Sequence, residues 1–338
     1  SIAPGAVILH YSQGIFEGMK AHQQEDGNIF LFRPELNFNR FNTSAEGICI
    51  PKIPVDLQLE AVNALIDTDR LWFPQQKDSS LYIRPFVFGT EDRLGVHPSN
   101  TYTYCTFLSP SGSYFPSGFN PQTIMITDKF HRAVPGGVGN YKYSGNYART
   151  LKAGQIAQGK GAVQVLYLDV NNKFLDEYGS MFHYQVTPRS SISVGNSILL
   201  PQFTDTNLRS TTAETILDLN ATLEKEIGYH VTQKRIYLDD FIEGLLSGTI
   251  SETGGLGTAA VVAPVGKYIL DLEQDVFRVE STADPESLYR SAKIDQIQVG
   301  NGQVGEVSQA MYRLLTDIQT GKKEAPNPEW LVKVSRMR

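Results

Sequence analysis

One lysine, Lys142, stands in the stretch PGGVGNYKYSGNYA, Pro135 to Ala148, among glycines, small polar residues and tyrosines, with no acidic residue in the stretch to pair it. On composition alone a lysine in a glycine-rich loop belongs at the surface. Its neighbours change that reading. Gly136, Gly137 and Gly139 allow unusual backbone angles and close approach of another group, while Tyr141, Tyr143 and Tyr147 supply apolar faces with polar tips. A lysine amine desolvated there gives up its proton more readily and becomes a nucleophile able to form a Schiff base. An aldehyde cofactor is its natural partner.

Pyridoxal phosphate is such an aldehyde. A site for it needs a carboxylate that keeps the pyridine nitrogen protonated, a donor to the phenolic oxygen, and a cradle for the phosphate. Glu177, in LDEYGSM, follows a strand and precedes a turn glycine, a place that suits a solvated turn carboxylate equally well. Tyr147 is a short reach along from Lys142. In STTAETILDL, Thr211 and Glu214 have capping-box spacing, which predicts a helix start whose free amides and positive dipole end face an anion. A second glycine-rich turn, GGLGTAAVVAP, is expected to end in Thr258 and lead into a strand.

Other chemistries find less support. GGVGNYK lacks the Gly-Lys-Ser/Thr ending of a phosphate loop and a third glycine at dinucleotide spacing. The histidines (His10, His22, His97, His131, His183 and His230) are dispersed, with none three or four apart, so no metal site is expected. There is no Gly-x-Ser-x-Gly elbow.

The elements that must hold these groups are legible in outline. With 338 residues, 41% hydrophobic and 20% charged, the chain is long and apolar enough for two domains. Its net charge of -6 and scattered basic residues give no stripe for nucleic acid or an anionic membrane, so a small-molecule partner is expected. Cys49 and Cys105 stand alone in apolar contexts, which fits a reducing, cytoplasmic compartment. No run reaches the apolar length of a membrane span. Ser1-Ile2-Ala3-Pro4 reads like the interior of a protein rather than a signal peptide, so N-terminal residues are expected to be missing.

Strands are predicted at residues 6–10, 28–32, 81–89 and 101–108, with an Asp-Gly turn in Glu25 to Asn28. Helices are predicted from Pro34 through LNFNRFNTSAEG and over 55–71. SPSGSYFPSGFNPQ, residues 109–122, cannot continue either element and reads as an interdomain loop between a small α/β domain, 1–108, and a larger one, 123–338. In the larger part, strands are predicted at 123–127, 163–168, 191–194 and 258–265, and helices near 145–158, 211–226, 238–246 and 307–320. Strands and helices mix without strict alternation or repeats, so the fold class is α+β.

These pieces, in this order, resemble the branched-chain amino acid aminotransferases, fold-type IV pyridoxal phosphate enzymes with a D-amino acid aminotransferase-like, two-domain fold. The likeness runs nearly end to end through LHYSQGIFEGMKA, LFRPELNFNRF, SLYIRPFVFG, GSYFPSG, GGVGNYKYSGNYA, GLGTAAVVAPV, NGQVGEV and LTDIQTGKK. It implies that Lys142 carries the cofactor and shuttles the substrate proton, that Glu177 partners the pyridine nitrogen, and that Tyr147 donates to the phenolic oxygen. Arg40 is then expected at the phosphate with Thr211, Thr212 and Thr258, and Ser180 close to the cofactor.

The implied substrate pocket is aromatic and apolar: Tyr11, Phe16, Tyr82 and Tyr114, with Val96 from the neighbouring subunit of a homodimer. By the same resemblance Arg84 receives the distal carboxylate of glutamate or 2-oxoglutarate, and amides near Thr258 and Ala259 receive the α-carboxylate. The implied reaction moves the amino group of leucine, isoleucine or valine to 2-oxoglutarate in a ping-pong cycle.

Two departures flank the cofactor. Where the family has Gly-Thr-x-Asn this chain has Gly179-Ser180-Met181-Phe182, and where it often has Leu-Pro-Gly-Val-Thr-Arg this chain has Leu208-Arg209-Ser210-Thr211-Thr212-Ala213. They keep two other readings open: a specialised transaminase for another hydrophobic or aromatic amino acid, and a non-catalytic cofactor-binding homologue.

Overall fold

In the computed structural model, which describes residues 1–76, 79–112, 119–189, 195–273, 275–281 and 289–336, the alternating runs of the first hundred residues form a sheet and the helical runs pack on it. The elements begin with α1 (Val7–Tyr11), β1 (Gly14–Phe16), β2 (Met19–Gln23), β3 (Ile29–Phe32), α2 (Pro34–Gly47), α3 (Val55–Thr68), β4 (Ser80–Gly89) and β5 (Tyr102–Ser111). They continue with β6 (Gln122–Thr127), α4 (Ser144–Ala148), α5 (Leu151–Gly159), β7 (Gln164–Leu168), β8 (Leu175–Tyr178), β9 (Phe182–Thr187), β10 (Ser197–Pro201), α6 (Thr211–Asp218) and α7 (Asn220–Ile227). Last come β11 (His230–Lys234), α8 (Leu238–Ser247), β12 (Glu252–Gly257), β13 (Val261–Asp271), β14 (Val276–Ser281), β15 (Tyr289–Ile294), β16 (Gln296–Gln298), α9 (Glu306–Gln319) and β17 (Leu331–Lys333).

The first sheet has the order β1-β4-β2-β3-β17, with β5 on β4, and is antiparallel throughout. Alternate residues Met19 and Ala21, Ile29 and Leu31, and Leu81 and Ile83 face a core closed by Phe38 of α2 and by Val62 and Ile66 of α3. The second sheet runs β11-β10-β9-β12-β13-β6-β7-β8, with β16 on β13; β6 is parallel to both neighbours, and β10 to β11. Both of its faces are covered. Ile198 and Leu200 of β10 pack with α6, α7 and α9, whereas Leu199 between them packs with α8, which is why SILLP is apolar without alternation.

The structure corrects several expected boundaries. Where a strand is expected at 6–10, Val7–Tyr11 form a helix and Ala6 makes only a single bridge, to Asp92; Val7 is buried but Leu9 and His10 are exposed, one-sided burial that a short apolar run does not reveal. GGLG is not a turn but the end of β12, and the turn falls at 258–260, so the following strand begins at Val261. The helices expected at 145–158 and 211–226 each divide in two. β5 continues to Ser111, inside the stretch read as the interdomain loop. β17 returns from the far end of the chain to the first sheet. The strand expected at 191–194 lies outside the described residues.

Candidate active site

A cavity of about 530 Å³ opens between the two sheets, lined by Phe16, Arg40, Tyr82 and Arg84 from the first part of the chain and by Lys142, Tyr147, Glu177, Ser180, Thr211, Thr258 and Ala259 from the second. Lys142 is pinned at its backbone. Its amide donates to Ser44 Oγ at 2.8 Å, its carbonyl accepts from the amide of Phe16 at 3.1 Å, and Tyr143 forms an antiparallel bridge with Ile15. The loop is therefore stitched to β1 and α2, and Gly136, at φ +73°, makes the turn that leads into it. Lys142 Nζ donates to the Tyr147 hydroxyl at 3.0 Å and stands 5.0 Å from the centre of the Phe16 ring. Among the described residues no carboxylate is ion-paired with it.

Glu177, on β8, is only 3% exposed. Its Oε1 lies 2.5 Å from Arg132 Nη1 and accepts from the amide of Leu208 at 3.1 Å. Burial pushes its carboxyl up to about 7, against the opposing pull of Arg132. Gln164 Nε2 donates to Ser180 Oγ at 2.6 Å.

Arg40, on α2, grips the fully buried Glu17 with Nε at 2.6 Å and Nη2 at 2.9 Å, and its Nη1 donates to the carbonyl of Arg209 at 2.9 Å. Three of its five N-H groups are committed, which leaves two for a ligand. Burial drives the Glu17 carboxyl upward, but the charge and hydrogen bonds of Arg40, with Lys142 and Asn37, outweigh it and hold the carboxyl below its ordinary value. The Arg209 side chain turns to Glu214, which neutralises the extra charge of this departure from the family pattern. Phe182, the other departure, packs against Phe203 in the core and lines the cavity wall.

The predicted capping box is displaced by one residue: Ser210 is the N-cap of α6, accepting from the amide of Ala213 at 3.2 Å. Ser210 and Thr211 line the cavity. Thr212 does not; it lines an adjoining chamber of about 30 Å³ with Lys20 and His22, and Thr211 and Thr258 line both spaces.

At the opposite end, Arg84 Nη2 donates to the Tyr82 hydroxyl at 2.8 Å and the guanidinium lies over the Phe16 ring at 4.8 Å. Arg84 Nε is buried and has no hydrogen-bond partner among the described residues. Gly18 lets the Tyr82 hydroxyl lie where a Cβ would otherwise be, so a side chain at this position would displace that hydroxyl. Tyr11 is not in the cavity of this chain. Its hydroxyl accepts from the amide of Gly95 at 2.8 Å, beside Val96, which is 89% exposed and also lines no part of the cavity. Tyr114 lies outside the described residues.

Residues 14–267 match the family Amino-transferase class IV. The chain belongs to the class IV aminotransferases. Branched-chain-amino-acid aminotransferase 2 of Bacillus subtilis (strain 168) is 37% identical to this class IV aminotransferase over 322 residues, 95% of this chain and 80% of that protein. The crystal structure of the Escherichia coli branched-chain amino acid aminotransferase has the same fold at 23% identity, with a TM-score of 0.74 over 99% of this chain and 94% of that one. The branched-chain amino acid aminotransferase of Thermobaculum terrenum, solved in its PLP-form, superposes with a TM-score of 0.71 at 16% identity, over 99% of this chain and 94% of that one.

Sequence reasoning missed three residues of this aminotransferase's site: Glu17, Arg132 and Lys20. Glu17 had a signal, an acidic residue inside the apolar run GIFEGM. Arg132 and Lys20 had none, since each is defined by partners remote in sequence.

Proposed function

We propose that this protein is a branched-chain amino acid aminotransferase that uses pyridoxal 5'-phosphate to move the amino group of leucine, isoleucine or valine to 2-oxoglutarate. The observation that carries the reading is the Lys142 amine, 3.0 Å from the Tyr147 hydroxyl and, among the described residues, without an ion-paired carboxylate, in a cavity that also holds the buried Glu177 and the partly unpaired Arg84. The donor set fits the cofactor. Lys142 would hold the aldehyde, Glu177 the pyridine nitrogen, and Tyr147 the phenolic oxygen. The two uncommitted N-H groups of Arg40, the start of α6 at Ser210 and Thr211, and Thr258 would hold the phosphate. When bound, the cofactor supplies a sink for the negative charge left at the substrate Cα.

The chain's own residues do the rest. Lys142 Nζ removes and returns the proton at Cα, oriented by Tyr147, whose ring packs on Phe16 with centroids 4.8 Å apart. Glu177 keeps a proton on the ring nitrogen. Phe16, Tyr82, Met181 and Phe182 wall the cavity against water, and each methylene buried there is worth about 0.8 kcal/mol, which suits aliphatic side chains. Arg84 receives the distal carboxylate of 2-oxoglutarate, for which its unpartnered Nε is an unmet donor. The α-carboxylate lies at the 258–260 turn.

Residues 1–108 and 123–338 are read as the two domains, with β17 given back to the sheet of the first. A homodimer completes the pocket: Leu94 and Val96 stand exposed on a loop that Tyr11 braces, a place for a second copy to cover. Among the described residues no helix is long and apolar enough to cross a membrane. The cytoplasm is the compartment proposed.

Borohydride reduction of the cofactor-loaded protein followed by peptide mapping tests the lysine, with the label expected on Lys142 and absent in Lys142→Ala. A panel of amino donors with 2-oxoglutarate tests the substrate. Preference for a non-branched donor replaces the substrate assignment, and loaded protein that turns over no donor replaces catalysis with binding.

A further inference from the structure

Arg132 lies in the loop between β6 and Lys142 and is itself only 3% exposed. Its guanidinium joins three segments. Nη1 is 2.5 Å from Glu177 Oε1 and donates to the carbonyl of Thr206 at 2.9 Å, and both Nη1 and Nη2 donate to the carbonyl of Gly139 at 3.1 Å. Gly139 is three residues before Lys142, and Thr206 is two residues before Leu208, whose amide donates to Glu177. One side chain therefore spans the lysine loop, the carboxylate and the loop behind it.

We propose that Arg132 is a positioning residue that keeps the Glu177 carboxylate ionised and locks it to the loop carrying Lys142, so that amine and carboxylate hold a fixed relation to a pyridine cofactor. This deepens the cofactor reading above and rests on it. The charges facing Glu177 are few. Asp176, its neighbour on β8, opposes ionisation, while Arg132, Lys142 and the Leu208 amide favour it. Lys142 is not a lasting counter-charge, because the reading commits that amine to the aldehyde. The guanidinium has no such second duty. It is charged at every accessible pH, and its planar fork serves a carboxylate and two carbonyls together.

The test is the dissociation constant of pyridoxal phosphate, measured by equilibrium dialysis from pH 5.5 to 9.5 without amino acid. Wild type is compared with Arg132→Gln, Arg132→Met, Arg132→Lys and Glu177→Gln. Wild type is expected to lose affinity as Glu177 takes up its proton, and Glu177→Gln to lack that limb. In either charge-free variant the limb should move up by about one to three pH units. Arg132→Lys should return it toward wild type while binding more weakly throughout. Uniform weakening at every pH in the charge-free variants, or a wild-type profile, overturns the proposal.

A second readout needs no cofactor: the infrared carboxyl band of Glu177, identified by its loss in Glu177→Gln. Its titration midpoint should rise in Arg132→Gln, and an unmoved midpoint overturns the proposal. If wild type binds no pyridoxal phosphate, the functional reading fails while this titration still decides the role of Arg132.

Discussion

The Lys20 ammonium donates a 2.8 Å hydrogen bond to the carbonyl of Ala259, across 239 residues of sequence, and so ties β2 of the first sheet to the turn between β12 and β13 of the second. Burial holds this lysine down at about 8, and His22 beside it is held at about 3 by burial and by the lysine charge, so the chamber carries one titrating cation near neutral pH.

Lys20→Met is expected to raise KM for the amino acid about tenfold, the worth of a hydrogen bond from a charged group, with cofactor affinity within about twofold of wild type. In wild type the same KM should climb as pH passes about 8 and the ammonium loses its proton; in Lys20→Met it should stay flat. Initial rates from pH 7 to 9.5 check both, and a parallel pH dependence in the two proteins removes Lys20 from the argument.

Glu177 couples cofactor chemistry to stability. Its carboxyl binds a proton more tightly folded, at about 7, than at its ordinary 4.5, so the folded state holds more protons between those values. Stability from this group is present below 4.5 and is lost as pH rises to about 7, by about 3 kcal/mol over the window. Glu177→Gln should remove that slope, while the unpaired Arg132 adds a cost that does not vary with pH. Urea unfolding of cofactor-free protein at pH 5 and 7.5 measures the difference, and equal slopes in both proteins contradict the expectation.

Gly18→Ala places a methyl where the Tyr82 hydroxyl sits. A tyrosine tip can swing aside, so unfolding free energy should change by less than about 1 kcal/mol. The Arg84 to Tyr82 hydrogen bond goes with it, and KM for 2-oxoglutarate should rise several-fold while cofactor binding is kept. Unchanged kinetics show that the tyrosine position does not matter to the dicarboxylate.

Arg84→Met keeps the apolar wall against Phe16 and deletes the guanidinium. We expect kcat/KM for 2-oxoglutarate to fall by about ten- to a hundredfold, the range of a lost charged hydrogen bond, with single-turnover reaction of leucine within about threefold. Equal losses for both substrates place Arg84 outside distal-carboxylate recognition.

What could be read without coordinates was whatever is local along the chain. The long periodic helices α2, α3 and α9 were predicted within a few residues, because fourteen-residue elements repeat their burial pattern several times. β1, β16 and β17 have three residues each, too few for any period to show. At the site, Lys142 and Tyr147 announce themselves by five-residue spacing in one loop. Arg132, Glu17 and Lys20 acquire meaning only through a carboxylate, a guanidinium and a carbonyl that the fold brings to them. Thr212 lines the adjoining chamber and Thr211 both spaces, a division between consecutive residues that sequence alone does not show.

The return of β17 to β3, pairing Leu331 with Phe32 and Lys333 with Phe30, sets a timetable for biosynthesis. The N-terminal sheet emerges from the ribosome first, but its outer edge stays unpaired until roughly 300 more residues have been made, on the order of half a minute at ordinary translation speeds. For that interval a bare strand edge is a template for sticking to other nascent chains. A chain stopped just short of Leu331 should therefore collect as insoluble aggregate in the cell, a failure of yield more than of catalysis.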